Sequence, residues 1–188
     1  MLSLPRELEL GADGDLRQRP ARGIDELRGT KRIGATGAAF DGEAVDLGGI
    51  GRAADLVVRL ECSGGLQLVT SAAGDEYLAV VRDPDTGDVV VDRRRASLDP
   101  RAKGGSWRLP APQEGPVELR IVLDHSVAEV FTSAGESLTV RFYPVGDAPW
   151  RLRATAQGAG AAVPYAVEAW DLAGLAIKDK RPTAEDTP

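Results

Sequence analysis

The stretch Val117-Glu-Leu-Arg-Ile-Val-Leu-Asp-His-Ser-Val-Ala-Glu-Val-Phe-Thr-Ser-Ala-Gly-Glu-Ser-Leu-Thr-Val-Arg-Phe-Tyr-Pro144 decides the fold. It contains three consecutive runs of period-two alternation, separated by turn residues, and so reads as three adjacent antiparallel strands. Val117, Leu119, Ile121 and Leu123 lie on one face of the first run, and Leu138, Val140 and Phe142 on one face of the third. The same period recurs outward in both directions. Leu56, Val58, Leu60 and Cys62 share a face, with Arg59 and Glu61 opposite. Leu66 and Leu68 follow Ser63-Gly64-Gly65, which reads as a tight hairpin because glycine accepts positive φ. Tyr77, Ala79 and Val81 are read as the next inward set, then Val89 and Val91. Trp150, Leu152 and Ala154 pattern alike, and Val163, Tyr165, Val167 and Ala169 close the series.

Glycine turns separate these runs at Asp13-Gly14, Asp41-Gly42, Thr86-Gly87 and Ala134-Gly135. Short strands punctuated so regularly predict an antiparallel sandwich. Only Ile24 to Arg28 reads as a helical turn, and no long segment offers the period-3.6 apolar face that a parallel sheet with crossover helices needs. Leu98 to Gly115, rich in glycine and proline, reads as a long loop with a short strand around Trp107. Residues 1–177 form one expected domain, and the charged, proline-bearing residues 178–188 an expected flexible tail.

The 188 residues, 43% hydrophobic, suffice for one substantial core. A net charge of −6 argues against a nucleic-acid surface, which needs clustered cations to displace counterions. Arg93-Arg94-Arg95 is the only tight basic run, and on an alternating strand end its side chains point to both faces, as solvated charges. The single cysteine, Cys62, excludes an internal disulfide, and with His125 as the only histidine no zinc-type cluster is available. No apolar run approaches the roughly 20 residues of a membrane span, and no secretory leader pattern opens the sequence. One cysteine is compatible with either side of a membrane, so the compartment stays open between cytoplasm and secretion.

Several segments carry a family resemblance. Asp124-x-Ser126-x-x-Glu129-x-Phe131 closely resembles a hairpin in the C-terminal β-sandwich of the glycoside hydrolase family 32 β-fructosidases, which include invertases, levanases, inulinases and sucrose-6-phosphate hydrolases. Leu2 to Leu8 is similar to that domain's opening, and Leu16 to Pro20 with Glu26-Leu27-Arg28 to the next segment. Val91 to Ser97 resembles the mid-domain Asp-Arg-Ser run, with Arg94 where the family has serine, and Val167 to Leu172 resembles the closing strand. The resemblance implies a jelly-roll-like sandwich of two antiparallel sheets, related to legume lectins, without the catalytic propeller that precedes it in the family.

Two motifs imitate the family's catalytic residues. A retaining glycosidase needs two carboxylates about 5 to 5.5 Å apart. The family supplies them in the order Asn-Asp-Pro, Arg-Asp-Pro, Glu-Cys. This chain holds Glu61-Cys62 and then Arg82-Asp83-Pro84, in reversed order and within the sandwich segments, and it contains no asparagine. Arg82-Asp83-Pro84 leads into Asp85-Thr86-Gly87 and reads as a hairpin turn. Asp124, His125 and Ser126 fail as a triad because Asp124 and Ser126 share a strand face that His125 does not. The structural reading has Asp124 and Ser126 bonding turn amides and Phe131 filling core volume.

No catalytic residue, metal site or cofactor is therefore expected. Among the tryptophans, Trp150 fits an inward face and Trp170 falls out of phase, at an edge or domain junction. Trp107, in a glycine-rich loop, is the candidate platform for stacking a sugar, weighed against burial under that loop. The resulting expectation is a non-catalytic module that packs on and stabilises the five-bladed catalytic propeller of an enzyme hydrolysing terminal β-fructofuranosyl bonds in sucrose or fructans. An exposed apolar patch is its expected signature. Homo-oligomer contacts are compatible with this; nucleic acid and membrane are not expected partners. The alternative is a free-standing, lectin-like module that binds fructan. An intact small enzyme built on Glu61 and Asp83 is rejected.

Overall fold

The computed structural model describes residues 3–173; the expected tail at 178–188 lies outside the described residues. The chain opens with a hairpin, β1 (Arg6–Leu10) and β2 (Leu16–Pro20), then a 3₁₀ helix at Arg22–Leu27. Twelve strands follow: β3 (Arg28–Ala39), β4 (Ala44–Ile50), β5 (Ala53–Leu60), β6 (Gly64–Val69), β7 (Tyr77–Arg82), β8 (Val89–Asp92), β9 (Ser106–Leu109), β10 (Val117–Asp124), β11 (Val127–Thr132), β12 (Ser137–Arg141), β13 (Trp150–Ala156) and β14 (Val163–Leu172).

These twelve form two six-stranded sheets. The first runs β12-β11-β10-β5-β14-β3 and the second β4-β13-β6-β7-β8-β9, with antiparallel pairing throughout both. The quoted stretch is the meander β10-β11-β12, in register from Leu119 opposite Thr132 to Val127 opposite Arg141. The inner faces meet in one core that joins Leu56, Val58, Leu119 and Ile121 of the first sheet to Leu66, Val89, Val91 and Leu152 of the second. Phe142 and Trp150 meet there with ring centroids 5.7 Å apart. Burial of such side chains stabilises the fold by about 1.5–3 kcal/mol each. The glycines of all four turns adopt positive φ, from 76° at Gly42 to 95° at Gly135.

Two sequence readings are corrected. Ser63-Gly64-Gly65 is not a hairpin within a sheet: β5 belongs to the first sheet and β6 to the second, so this segment carries the chain across the sandwich. The left-handed residue is Ser63, at φ 70°. Gly65 is required for closeness, because a Cβ there would lie 2.7 Å from both Thr155 Oγ1 and Val81 Cγ1. Strand β7 is also in the opposite phase to that expected. Leu78, Val80 and Arg82 are buried, whereas Tyr77, Ala79 and Val81 are half-buried on the outer face. Arg82 points inward because its guanidinium caps three backbone carbonyls, those of Gly87, Pro112 and Gly115, which would otherwise lack partners. It thereby ties the β7–β8 turn to the loop before β10.

Candidate functional site

Of the residues that imitate catalytic groups, Asp83 is engaged in the scaffold. The Asp83 carboxylate accepts the amides of Asp85 and Thr86 and pairs with Arg108 at 2.7 Å. The Arg108 hydrogen bond, followed by those two amides, holds its pKa below the ordinary carboxylate value. Glu61 is half-buried just beyond β5, and the neighbouring Cys62 Sγ lies 3.6 Å from the carbonyls of Asp83 and Pro84. Asp124 and His125 form an exposed turn, Oδ1 to Nδ1 2.8 Å, with His125 left-handed at φ 50°. The Asp83 carboxylate is thus occupied by its own turn and by Arg108, and the Asp124 and His125 side chains by each other.

Trp107 stands on β9, the edge strand of the second sheet, opposite Val91. It is 37% exposed. One side of its ring carries the Arg93 guanidinium, 4.9 Å from the centroid. Trp170, at a bulge in β14, lies beneath Arg28 at 4.0 Å. Among the described residues no group of three or more His, Cys, Asp or Glu side chains is placed to hold a metal. Among the described residues no helix is long and apolar enough to cross a membrane.

The most elaborate polar arrangement lies on the outer face of the first sheet, where the segment preceding β3 is clasped. Glu129, on β11, is buried and accepts the Leu4 amide at 2.6 Å and Arg6 Nη2 at 2.8 Å. Arg6 Nη2 also donates to Thr139 Oγ1 at 2.6 Å, and Nη1 to Ser137 Oγ at 2.9 Å and Gln18 Oε1 at 2.8 Å. The Phe131 ring lies 5.3 Å beneath the same guanidinium. Phe131 is thus buried against this clasp, outside the inter-sheet core where it was expected. Ile24 of the 3₁₀ helix and Val122 of β10 are likewise buried apart from that core.

A second hub holds the end of the segment. Asp55, fully buried on β5, accepts Arg28 Nε at 2.6 Å and Arg120 Nε and Nη2 at 2.9 and 2.7 Å. Arg120 reaches Asp25 of the 3₁₀ helix at 2.6 Å. Burial disfavours the Arg120 charge, but the bonds and charges of Asp55 and Asp25 outweigh it and raise its pKa. None of these partnerships was read from the sequence. The available signal was that Glu129 and Phe131 alternate onto one face, opposite the core-facing Val130.

The hairpin continues past the sheet. Gln18 N donates to the carbonyl of Gly135, in the β11–β12 turn, which marks the rim of the sheet. Beyond it, Leu10 pairs with Leu16 across the hairpin and Leu8 lies two residues along on the same face. Their exposures are 72%, 56% and 63%. A groove of about 390 Å³ beside Leu16 is walled by Pro110, Ala111, Pro112 and Ala134 on its apolar side and by Asp13, Asp15, Arg17 and Glu136 on its charged side. Two-stranded hairpins are marginal without packing, and three neighbouring leucines left in water form a contiguous patch.

Solved structures share this architecture. Fructan 1-exohydrolase IIa from Cichorium intybus superposes with a TM-score of 0.76 at 19% identity, over 92% of this chain and 41% of that one. Exo-inulinase from Aspergillus awamori gives 0.73 at 20%, over 92% and 36%. The Bombyx mori GH32 β-fructofuranosidase gives 0.64 at 22%, over 91% and 32%. The chain therefore spans about two-fifths or less of the length of these enzymes. Among curated proteins, none matches it in sequence. The family profile described as "Glycosyl hydrolases family 32 C terminal" matches residues 24–171, most of both sheets. With fold and profile in agreement, the chain belongs to the C-terminal domain family of the family 32 glycosyl hydrolases.

Proposed function

We propose that this domain is a non-catalytic accessory module, which packs on and stabilises the catalytic propeller of an enzyme hydrolysing terminal β-fructofuranosyl bonds in sucrose or fructans. The observation that carries the reading is the overhang of β1 and β2, where Leu8, Leu10 and Leu16 share an uncovered face. The side chains that would imitate a catalytic pair support it from the other direction, because Asp83 is committed to turn amides and Arg108.

The chemistry of such a contact is simple. The Arg6 and Asp55 hubs hold the base of the hairpin rigidly on the sheet, so the ordering cost at a partner surface is largely met in advance. Each leucine then removed from water contributes up to about 1.5–3 kcal/mol. The test is thermal unfolding of the purified chain alone and with the family 32 propeller encoded in the same reading frame. The chain alone is expected to unfold cooperatively and to release no fructose from sucrose or inulin, and the propeller to raise its Tm. An unchanged Tm at saturating propeller, or fructose release by the chain itself, overturns the proposal.

A fructan-binding role is the second reading, favoured by Trp107 standing half-exposed on an edge strand. Calorimetry with inulin and levan oligomers tests it. Heat that Trp107→Ala removes supports it, and no heat eliminates it.

A further inference from the structure

At the opposite end of the sandwich from the hairpin overhang, a groove of about 640 Å³ opens beside the mouth of the core. It is lined by Arg93, which follows β8, by Asp99, Arg101, Ala102 and Lys103 of the β8–β9 connection, and by Tyr143, just after β12. Three cations against one carboxylate leave the lining with an excess of two positive charges, on a chain whose net charge is −6. Like charges are gathered here against the field of the whole protein, an arrangement that favours an anion.

The two arginines are also pre-positioned. Arg93 Nη1 donates to the Arg141 carbonyl at 2.5 Å, and its guanidinium is stacked on Trp107. Its Nε is buried and has no hydrogen-bond partner. Arg141 in turn lies over the Tyr143 ring at 5.2 Å, leaving Tyr143 45% exposed. Arg101 is held by Asp99 through paired bonds of 2.9 and 2.8 Å, whereas Lys103 makes no ion pair among the described residues. The neighbouring carboxylate Asp92 is already taken by Arg94. The remaining Nη2 of Arg93, the Lys103 ammonium and the exposed Tyr143 ring therefore border one groove.

We propose that this groove binds a phosphate monoester of a small polyhydroxylated molecule, its phosphate between Arg93 and Lys103 and its organic part against Tyr143. Two cations lining one groove favour a dianion over a single carboxylate, because each charge-assisted bond gains from the second negative charge. The site is independent of the hairpin surface and involves no catalytic step.

Isothermal titration calorimetry of the purified chain tests it, with glucose 6-phosphate, inorganic phosphate and glucose as probes. Glucose 6-phosphate is expected to saturate with a Kd of about 1 mM or tighter, inorganic phosphate to bind roughly threefold to tenfold more weakly, and glucose to give no heat. Lys103→Ala, at an exposed position, should weaken both anions about threefold or more with an unchanged Tm. Arg93→Gln should weaken them about tenfold. Tyr143→Ala should bring glucose 6-phosphate to the level of inorganic phosphate. No heat from either anion, or binding unaffected by Lys103→Ala, overturns the site. Equal affinity for the two anions overturns the part assigned to Tyr143.

Discussion

The two outer faces of the sandwich are built differently. On the first sheet the outer face carries buried Asp55 and Glu129, and the segment from Leu4 to Arg28 is laid over it and tied by arginines. On the second sheet the outer face carries half-buried Gln67, Ala79, Val81 and Val90 beside Arg151, Arg153, Asp92 and Arg108, whose charges are half-buried or exposed, and the loop around Gly74 lies against Arg153. A buried carboxylate is tolerated only where cations and donors converge on it, so the charged face has one geometry in which it is satisfied. The outer face of the second sheet, whose charges reach solvent, makes no such demand. The charged face is therefore the one whose covering segment is held in place, and the overhang that this segment projects is a fixed surface.

The largest effect should come from Asp55. Its replacement by alanine leaves Arg28 and Arg120 facing a buried gap, and chemical denaturation should report a loss of about 3–5 kcal/mol. An effect within experimental scatter would mean that the charged face is not the anchored one. Next is Arg6→Ala, which leaves the buried Glu129 carboxylate without its paired cation and frees the base of the hairpin. It should cost about 2–3 kcal/mol and increase proteolysis within residues 3–20.

Glu76 provides a control at the rim, since it is buried without an arginine. Burial alone would raise its pKa, but the Val145 amide, the Thr70 hydroxyl and the Leu98 and Gly146 amides outweigh it, and the pKa is lowered. A lowered pKa means that this stabilisation is present above the unfolded-state pKa, near about 4.3, and is lost as the pH falls through the folded-state value. Glu76→Gln should cost about 1–3 kcal/mol at neutral pH and flatten the acid limb of the stability curve. The smallest effect belongs to the bare face, where Val90→Thr should change stability by about 0.5 kcal/mol or less.

The reach of the sequence differs in the same way between regions. The β10-β11-β12 meander was legible because strict alternation and a glycine turn at Gly135 are local signals. In β7, both phases of Tyr77-Leu-Ala-Val-Val81 are apolar, so period two does not choose between them, and the inward Arg82 reverses the usual polarity. The Ser63-Gly64-Gly65 crossing reads locally as a hairpin, because a turn does not declare which sheet receives the next strand. Strand β3 offered only Ile33 as a large apolar residue among glycine, alanine and threonine, and it forms because β14 pairs along its length. The clasp was invisible for a different reason. Arg6 and Glu129 are 123 positions apart, and only the closed first sheet brings them together. The basic run shows the same limit, since Arg93 alone enters the groove, with Lys103 and Tyr143 supplied by other segments.

Amide hydrogen exchange on the chain, free and saturated with a family 32 catalytic propeller, tests the accessory reading most directly. New protection is expected from Leu8 to Leu16 and at Ala111, while the outer face of β7 and β8 exchanges as before. Protection confined to β7 and β8, or none anywhere, would contradict it.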